Sequence, residues 1–138
     1  MDCYRWPYRA GKRWFEVARV LIVEDNPDNL TLTVLLLESE GHTAISALDA
    51  EAGLTLARAQ LPDLILMDIQ LPGMDGLQAT ELLKGDPATR AIPVIALTAL
   101  AMKGDEERIR AAGCDGYICK PVRIHEFLAT VAAQLLGS

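Results

Sequence analysis

The sequence predicts an α/β protein in which one parallel five-stranded sheet carries helices on both faces. From residue 18 onward, short aliphatic runs alternate five times with helical patterns, which is how strand–helix units build a parallel sheet. The runs Val20-Leu21-Ile22-Val23 and Leu64-Ile65-Leu66-Met67 are continuously apolar rather than alternating, as expected of strands buried on both sides.

The first strand is read as Arg19 to Glu24. Asn26 then caps a helix that begins with Pro27, whose missing N–H costs nothing at the first helical position. That helix turns Leu30, Val34 and Leu37 to one face and stops at Gly41. Thr43 to Ala47 is the second and least apolar strand, which suits a sheet edge. Asp49 caps the second helix, with Leu54, Ala57 and Leu61 expected on its inward stripe before Pro62 ends it. The third strand is Leu64 to Asp68, and a third helix follows Gly76 with Leu77, Leu82 and Leu83. Val94 to Thr98 is the fourth strand. A fourth helix runs from about Met102 to Ala112 and closes at Gly113. Gly116 to Cys119 is the fifth strand, and Ile124 to Leu136 is a final helix apolar enough to pack along the sheet. No internal repeat or low-complexity linker interrupts the pattern.

A chain of 138 residues, 51% apolar, is large enough for one domain with its own core. Three cysteines and no charged-then-apolar leader argue against a secreted disulfide framework. Cys114 and Cys119 are five apart, and His42 and His125 have no ligand spacing, so no zinc site is expected; buried thiols are the expected state. The apolar stretches are too short to span a bilayer. The net charge of -6 is uneven: through Arg19, five cations (Arg5, Arg9, Lys12, Arg13, Arg19) stand against Asp2 and Glu16, a net of +3, leaving -9 for the remainder. So acidic a body is not expected to hold nucleic acid on its own.

In a doubly wound sheet, ligands bind beyond the carboxyl ends of the strands. Glu24, Asp25, Asp68, Thr98 and Lys120 all sit at or just after strand ends on that edge. Clustered carboxylates repel one another and lose hydration, and they persist where a metal or a chemical task requires them.

These residues give residues 18 to 136 a family resemblance. The acidic pair in Ile22-Val23-Glu24-Asp25-Asn26, the segment Leu66-Met67-Asp68-Ile69-Gln70-Leu71-Pro72-Gly73, the Thr98-Ala99 step and Tyr117-Ile118-Cys119-Lys120-Pro121 resemble those of a response-regulator receiver domain. The spacings agree: 43 residues from Asp25 to Asp68, 30 on to Thr98 and 22 on to Lys120. The string from Ala101 to Arg110, with Gly113-Cys114 after it, is similar to single-domain regulators of the DivK cell-division type. The resemblance implies a flavodoxin-like (CheY-like) doubly wound (βα)5 three-layer sandwich with strand order 2-1-3-4-5.

Residue chemistry supports a phosphoryl-accepting role. Asp68 is the candidate nucleophile, because a carboxylate oxygen can form an acyl phosphate. Mg2+ suits hard oxygen ligands and offsets the charge of anion meeting anion. By resemblance, Asp25 and Asp68 ligate the ion directly, the Gln70 backbone carbonyl adds an oxygen, and Glu24 acts largely through water. Lys120 offers a point charge and Thr98 a hydroxyl to the phosphoryl oxygens, while the small Ala99 leaves room beside the backbone. The family pattern makes Thr98 and Tyr117 the switch. Gln70 and Leu100 occupy positions that modulate phosphoryl lifetime in the family; Leu100 has no group to orient a water, so slow loss is expected.

The resulting expectation is a cytoplasmic two-component phosphorelay regulator, not a turnover enzyme, acting only on its own Asp68. Its phosphoryl donor is a phosphohistidine on a sensor histidine kinase or a histidine phosphotransfer protein. A downstream protein is expected on the face made by the fourth helix, fifth strand and fifth helix, with the chain a monomer or weak homodimer. The chain stops soon after its last helix, so no output domain is expected within it. Two alternatives differ in class. A haloacid-dehalogenase-type phosphohydrolase carries a second Asp two residues past its nucleophile, where Gln70 cannot exchange protons. A phosphorylation-independent interaction module would gain weight if an acid or Lys120 were missing, and all are present. Residues 1–17 form an extension of unknown role outside the resemblance, and residues 18–138 form the receiver domain. It holds five of the seven aromatics (Tyr4, Trp6, Tyr8, Trp14, Phe15), a composition that suits a docking element or merely a misassigned start.

Overall fold

The computed structural model describes residues 18–99 and 103–137. The extension 1–17, Leu100 and the expected start of the fourth helix at Met102 lie outside the described residues. Strands β1 (Arg19–Val23), β2 (Thr43–Ala47), β3 (Leu64–Asp68), β4 (Val94–Thr98) and β5 (Gly116–Cys119) alternate with helices α1 (Pro27–Ser39), α2 (Ala50–Gln60), α3 (Gly76–Gly85), α4 (Lys103–Ala111) and α5 (Ile124–Gly137). All pairings are parallel, in the order β2-β1-β3-β4-β5. The order matches the family expectation, and the sparsely apolar β2 lies at an edge.

The unbroken apolar runs follow from burial on both faces. Leu21, Val23, Ile65, Met67 and Val94 point into a core closed by Ala50, Leu54 and Ala57 of α2 and Ala79 and Leu83 of α3. Their neighbours Val20, Ile22, Leu64, Leu66, Ile95 and Leu97 point the other way, onto Leu36 and Leu37 of α1 and Phe127 and Val131 of α5. Each large aliphatic side chain so buried contributes about 1.5–3 kcal/mol, and a one-residue slip of a strand would exchange its two sets of side chains between the two faces.

Local signals set the helix ends. The Asn26 side chain accepts from the amides of Asp28 and Asn29 at 2.9 and 3.1 Å, and Asp49 accepts from Ala52 N at 2.8 Å. Asp75 and Gln78 form a reciprocal capping box at the start of α3. Two side-chain expectations fail. Leu61 is not part of the inward stripe of α2: it is the C-cap, left-handed at φ 46, and 52% exposed, because Pro62 ends the helix and takes position 61 out of the helical period. Cys119 is exposed rather than buried, while Cys114 is half-buried. In β5 only Ile118 turns inward, so Tyr117 and Cys119 on either side of it turn out.

Candidate functional site

The site is assembled at the carboxyl edge of the sheet from the ends of four strands. β1 delivers Glu24, whose amide donates to Ala47 O at 3.0 Å and whose side chain is 1% exposed. Asp25, next in sequence, is exposed. β3 ends on Asp68, 2% exposed, and one of its carboxylate oxygens, Oδ1, accepts the amide of Gln70 at 2.9 Å. β5 leads into Lys120, whose amide donates to Thr98 O at 2.7 Å, tying the ends of β4 and β5 together. Thr98 itself is completely buried, and Ala99 is exposed. The Lys120–Pro121 peptide is cis.

Lys120 Nζ donates to Asp68 Oδ2 at 2.9 Å and lies 3.1 Å from Glu24 Oε1. One ammonium thus bridges two buried acids. Carboxylate oxygens of Glu24, Asp25 and Asp68 come within 4.8 Å of one another. Burial pushes the Glu24 carboxyl above its ordinary pKa, as does the adjacent Asp68 carboxylate, against the opposing pull of Lys120 and the Asn26 amide. Burial works to lower the Lys120 pKa, but the hydrogen bond to Asp68 and the negative charges of Asp68 and Glu24 outweigh it and hold the ammonium above its usual value.

The donor set fits a divalent hard cation. Three carboxylates against one ammonium leave two uncompensated negative charges. The buried Glu24 Oε1, although close to Lys120, makes no hydrogen bond. An all-oxygen cluster of this kind, with one acid open to water, is the chemistry Mg2+ prefers.

Of the residues singled out in the sequence, Glu24, Asp25, Asp68 and Lys120 therefore meet, with Thr98 and Gln70 joined to them through backbone hydrogen bonds. Tyr117 is elsewhere: its ring is 40% exposed and its hydroxyl donates to Glu106 Oε2 of α4 at 2.9 Å. Leu100 lies outside the described residues. Two contributors have no sequence signal. Glu106 reads as one charge among several in an acidic helix turn. Gly76 reads only as a helix start, yet a Cβ there would lie 2.2 Å from Asp68 O and 2.7 Å from Ile69 Cα, so the α3 N-terminus can rest against the Asp68 backbone only because position 76 has no side chain.

This fold and this edge of acids and lysine define a class: the chain belongs to the response regulator receiver domain family, which matches it over residues 20–132. It is 52% identical over 116 residues to the polar-differentiation response regulator DivK of Brucella anthropi, covering 84% of this chain and 94% of that one, and equally similar to the DivK of Brucella ovis. Among solved structures, the receiver domain of a sensor histidine kinase from Pseudomonas aeruginosa, with a magnesium ion coordinated in its active site cleft, is 36% identical with a TM-score of 0.80, over 89% of this chain and 100% of that one. The signal receiver domain of a histidine kinase from Syntrophus aciditrophicus is 33% identical with a TM-score of 0.82, over 88% and 92%. No helix among the described residues is long and apolar enough to cross a membrane.

Proposed function

We propose that this receiver accepts a phosphoryl group on Asp68 from a phosphohistidine donor and signals through the protein surface that the modification changes. Family membership makes it a two-component phosphorelay regulator; the residue roles are our reading. The observation that carries it is the single ammonium, Lys120, held against two buried acids, one of which is Asp68.

A carboxylate oxygen of Asp68 attacks the phosphorus of the phosphohistidine. The P–O bond forms as the P–N bond breaks, and the imidazole keeps the electron pair and takes up a proton. Asp25, Asp68 and the Gln70 carbonyl would hold Mg2+, with Glu24 acting through water; when bound, the ion offsets the charge of the two anions brought together. Lys120 Nζ, already 2.9 Å from Asp68 Oδ2, is near enough to meet an oxygen of a phosphoryl group attached there. The Thr98 hydroxyl donates to another. Each new charge-assisted bond contributes about 1.5–3 kcal/mol, and inverting a two-state population from about 1:99 to 99:1 takes roughly 5.5 kcal/mol. Two such contacts are of the required size. Tyr117 follows Thr98, and the α4–β5–α5 face is remodelled for a downstream protein.

The donor is a sensor histidine kinase or histidine phosphotransfer protein in the cytoplasm. Residues 18–138 constitute the receiver, and the extension 1–17 is not needed for phosphorylation. Incubation with Mg2+ and acetyl phosphate, followed by intact-mass measurement, tests the first step. The expected result is a gain of one phosphoryl group that Asp68→Asn abolishes; an unchanged mass, or labelling that survives Asp68→Asn, overturns the assignment.

A further inference from the structure

Tyr117 and Glu106 form a contact for which phosphoryl chemistry alone has no use. The Tyr117 hydroxyl donates to Glu106 Oε2 at 2.9 Å, and the other oxygen of that carboxylate accepts from Arg110 Nη2 at 3.2 Å, one turn further along α4. The acceptor is thus charged and oriented, which strengthens the bond. An aromatic ring gains by burial, yet this one stands 40% exposed beside a cavity of about 220 Å³ lined by Glu106, Ile109, Arg110, Cys114, Tyr117 and Thr130. Meanwhile α4 itself is thinly anchored. Ile109 is the one buried side chain among its described residues, and a segment with so little buried apolar surface is one that moves readily.

We propose that Glu106 is a positioning residue that latches Tyr117 in its outward position, so that the α4–β5 face is held in the unphosphorylated arrangement until the switch is thrown. The inference rests on the Asp68–Thr98–Tyr117 reading above and adds its opposing force. Tyr117 lies on β5 opposite Ala96, two residues before Thr98 on the neighbouring strand. For the ring to leave α4, the O–H···O bond to Glu106 has to break. A contact made in one state and lost in the other biases the equilibrium toward the first by its own free energy. Removing the carboxylate therefore favours the inward ring, and with it the phosphorylated state, without any change at the acidic cluster.

Fluorine NMR of fluorotyrosine-labelled protein tests this, with the Tyr117 signal assigned by its loss in Tyr117→Phe. In the wild type the signal shifts when acetyl phosphate and Mg2+ are added. In Glu106→Ala the signal of the unphosphorylated protein is already displaced toward that position, and half-maximal phosphorylation by intact mass requires about fivefold less acetyl phosphate. Glu106→Gln, which keeps an oxygen acceptor, lies between. Adding Glu106→Ala to Tyr117→Phe changes nothing further, because the bond is already absent. Phosphorylation with an unmoved Tyr117 signal in Glu106→Ala overturns the latch alone, as does an equal effect of Glu106→Ala in the Tyr117→Phe background. A wild type that gains no phosphoryl mass overturns the site reading on which the latch rests.

Discussion

Replacing Gly76 by alanine tests how Asp68 is held in place. The added Cβ would sit 2.2 Å from Asp68 O, 2.7 Å from Ile69 Cα and 2.9 Å from Asp68 C, all backbone atoms. To restore van der Waals contact the start of α3 has to retreat by about 1 Å, which also stretches the 3.2 Å bond from Gly76 N to Ile69 O. Overpacking of this kind costs about 1–3 kcal/mol and the weakened hydrogen bond about 0.5–1.5 kcal/mol, against up to about 1 kcal/mol gained from alanine's helix propensity. The net is a loss of about 0.5–3.5 kcal/mol, or roughly 2–14 °C in melting temperature for a domain of this size. Gly85, in the last turn of the same helix, has nothing within 4 Å of its virtual Cβ, and Gly85→Ala should be neutral or stabilising by up to about 1 kcal/mol. The assay is thermal melting of both variants, with the acetyl phosphate labelling rate measured alongside. Because a displacement of about 1 Å at a reacting group can cost about 100-fold in rate, Gly76→Ala should also be phosphorylated more slowly. A Gly76→Ala protein that melts at or above the wild type and labels at the wild-type rate would refute the reasoning.

Three further predictions concern other parts of the molecule. The Tyr117 phenol is held above the ordinary tyrosine value of 10.0, first by its hydrogen bond to Glu106 and then by the charge of that carboxylate. Its raised folded pKa means the contact stabilises the fold below pH 10 and loses that contribution as pH rises through the folded value; ultraviolet titration of the wild type minus Tyr117→Phe should show late ionisation that Glu106→Ala brings forward. Leu61→Gly relieves a left-handed leucine that is half exposed and should raise stability by about 0.5–1 kcal/mol in chemical denaturation, whereas the inward stripe expected from the sequence would make it destabilising. Removing residues 1–16 should leave melting temperature and solution mass per chain unchanged, and a shift in either would give the extension a structural role.

What the sequence made legible is what short-range chemistry decides. Asn26 before Pro27, and Asp49 before its helix, carry their capping function in the residue type itself, so both helix starts could be placed without tertiary information. The strands could be placed because burial on both faces leaves an unbroken apolar run, and the strand ends then brought Glu24, Asp68 and Lys120 to one edge. Leu61 misleads because its periodicity continues that of α2 although Pro62 has already ended the helix. The exposure of Cys119 follows from alternation about Ile118, but a strand of four residues offers too short a pattern to show which side is covered. Glu106 and Gly76 were invisible for a different reason. Their roles depend on a hydrogen bond to β5 and on contact with the backbone at Asp68, and no local rule encodes either.

The central claim is that Asp68, among three neighbouring acids, is the one that takes the phosphoryl group. Reduction of the phosphorylated protein with borohydride converts an acyl phosphate into the corresponding alcohol and so marks the modified side chain permanently. Peptide mass mapping should find homoserine at position 68, with Glu24 and Asp25 unaltered. Conversion at Glu24 or Asp25, or no conversion in protein that carries phosphoryl mass, would contradict the account.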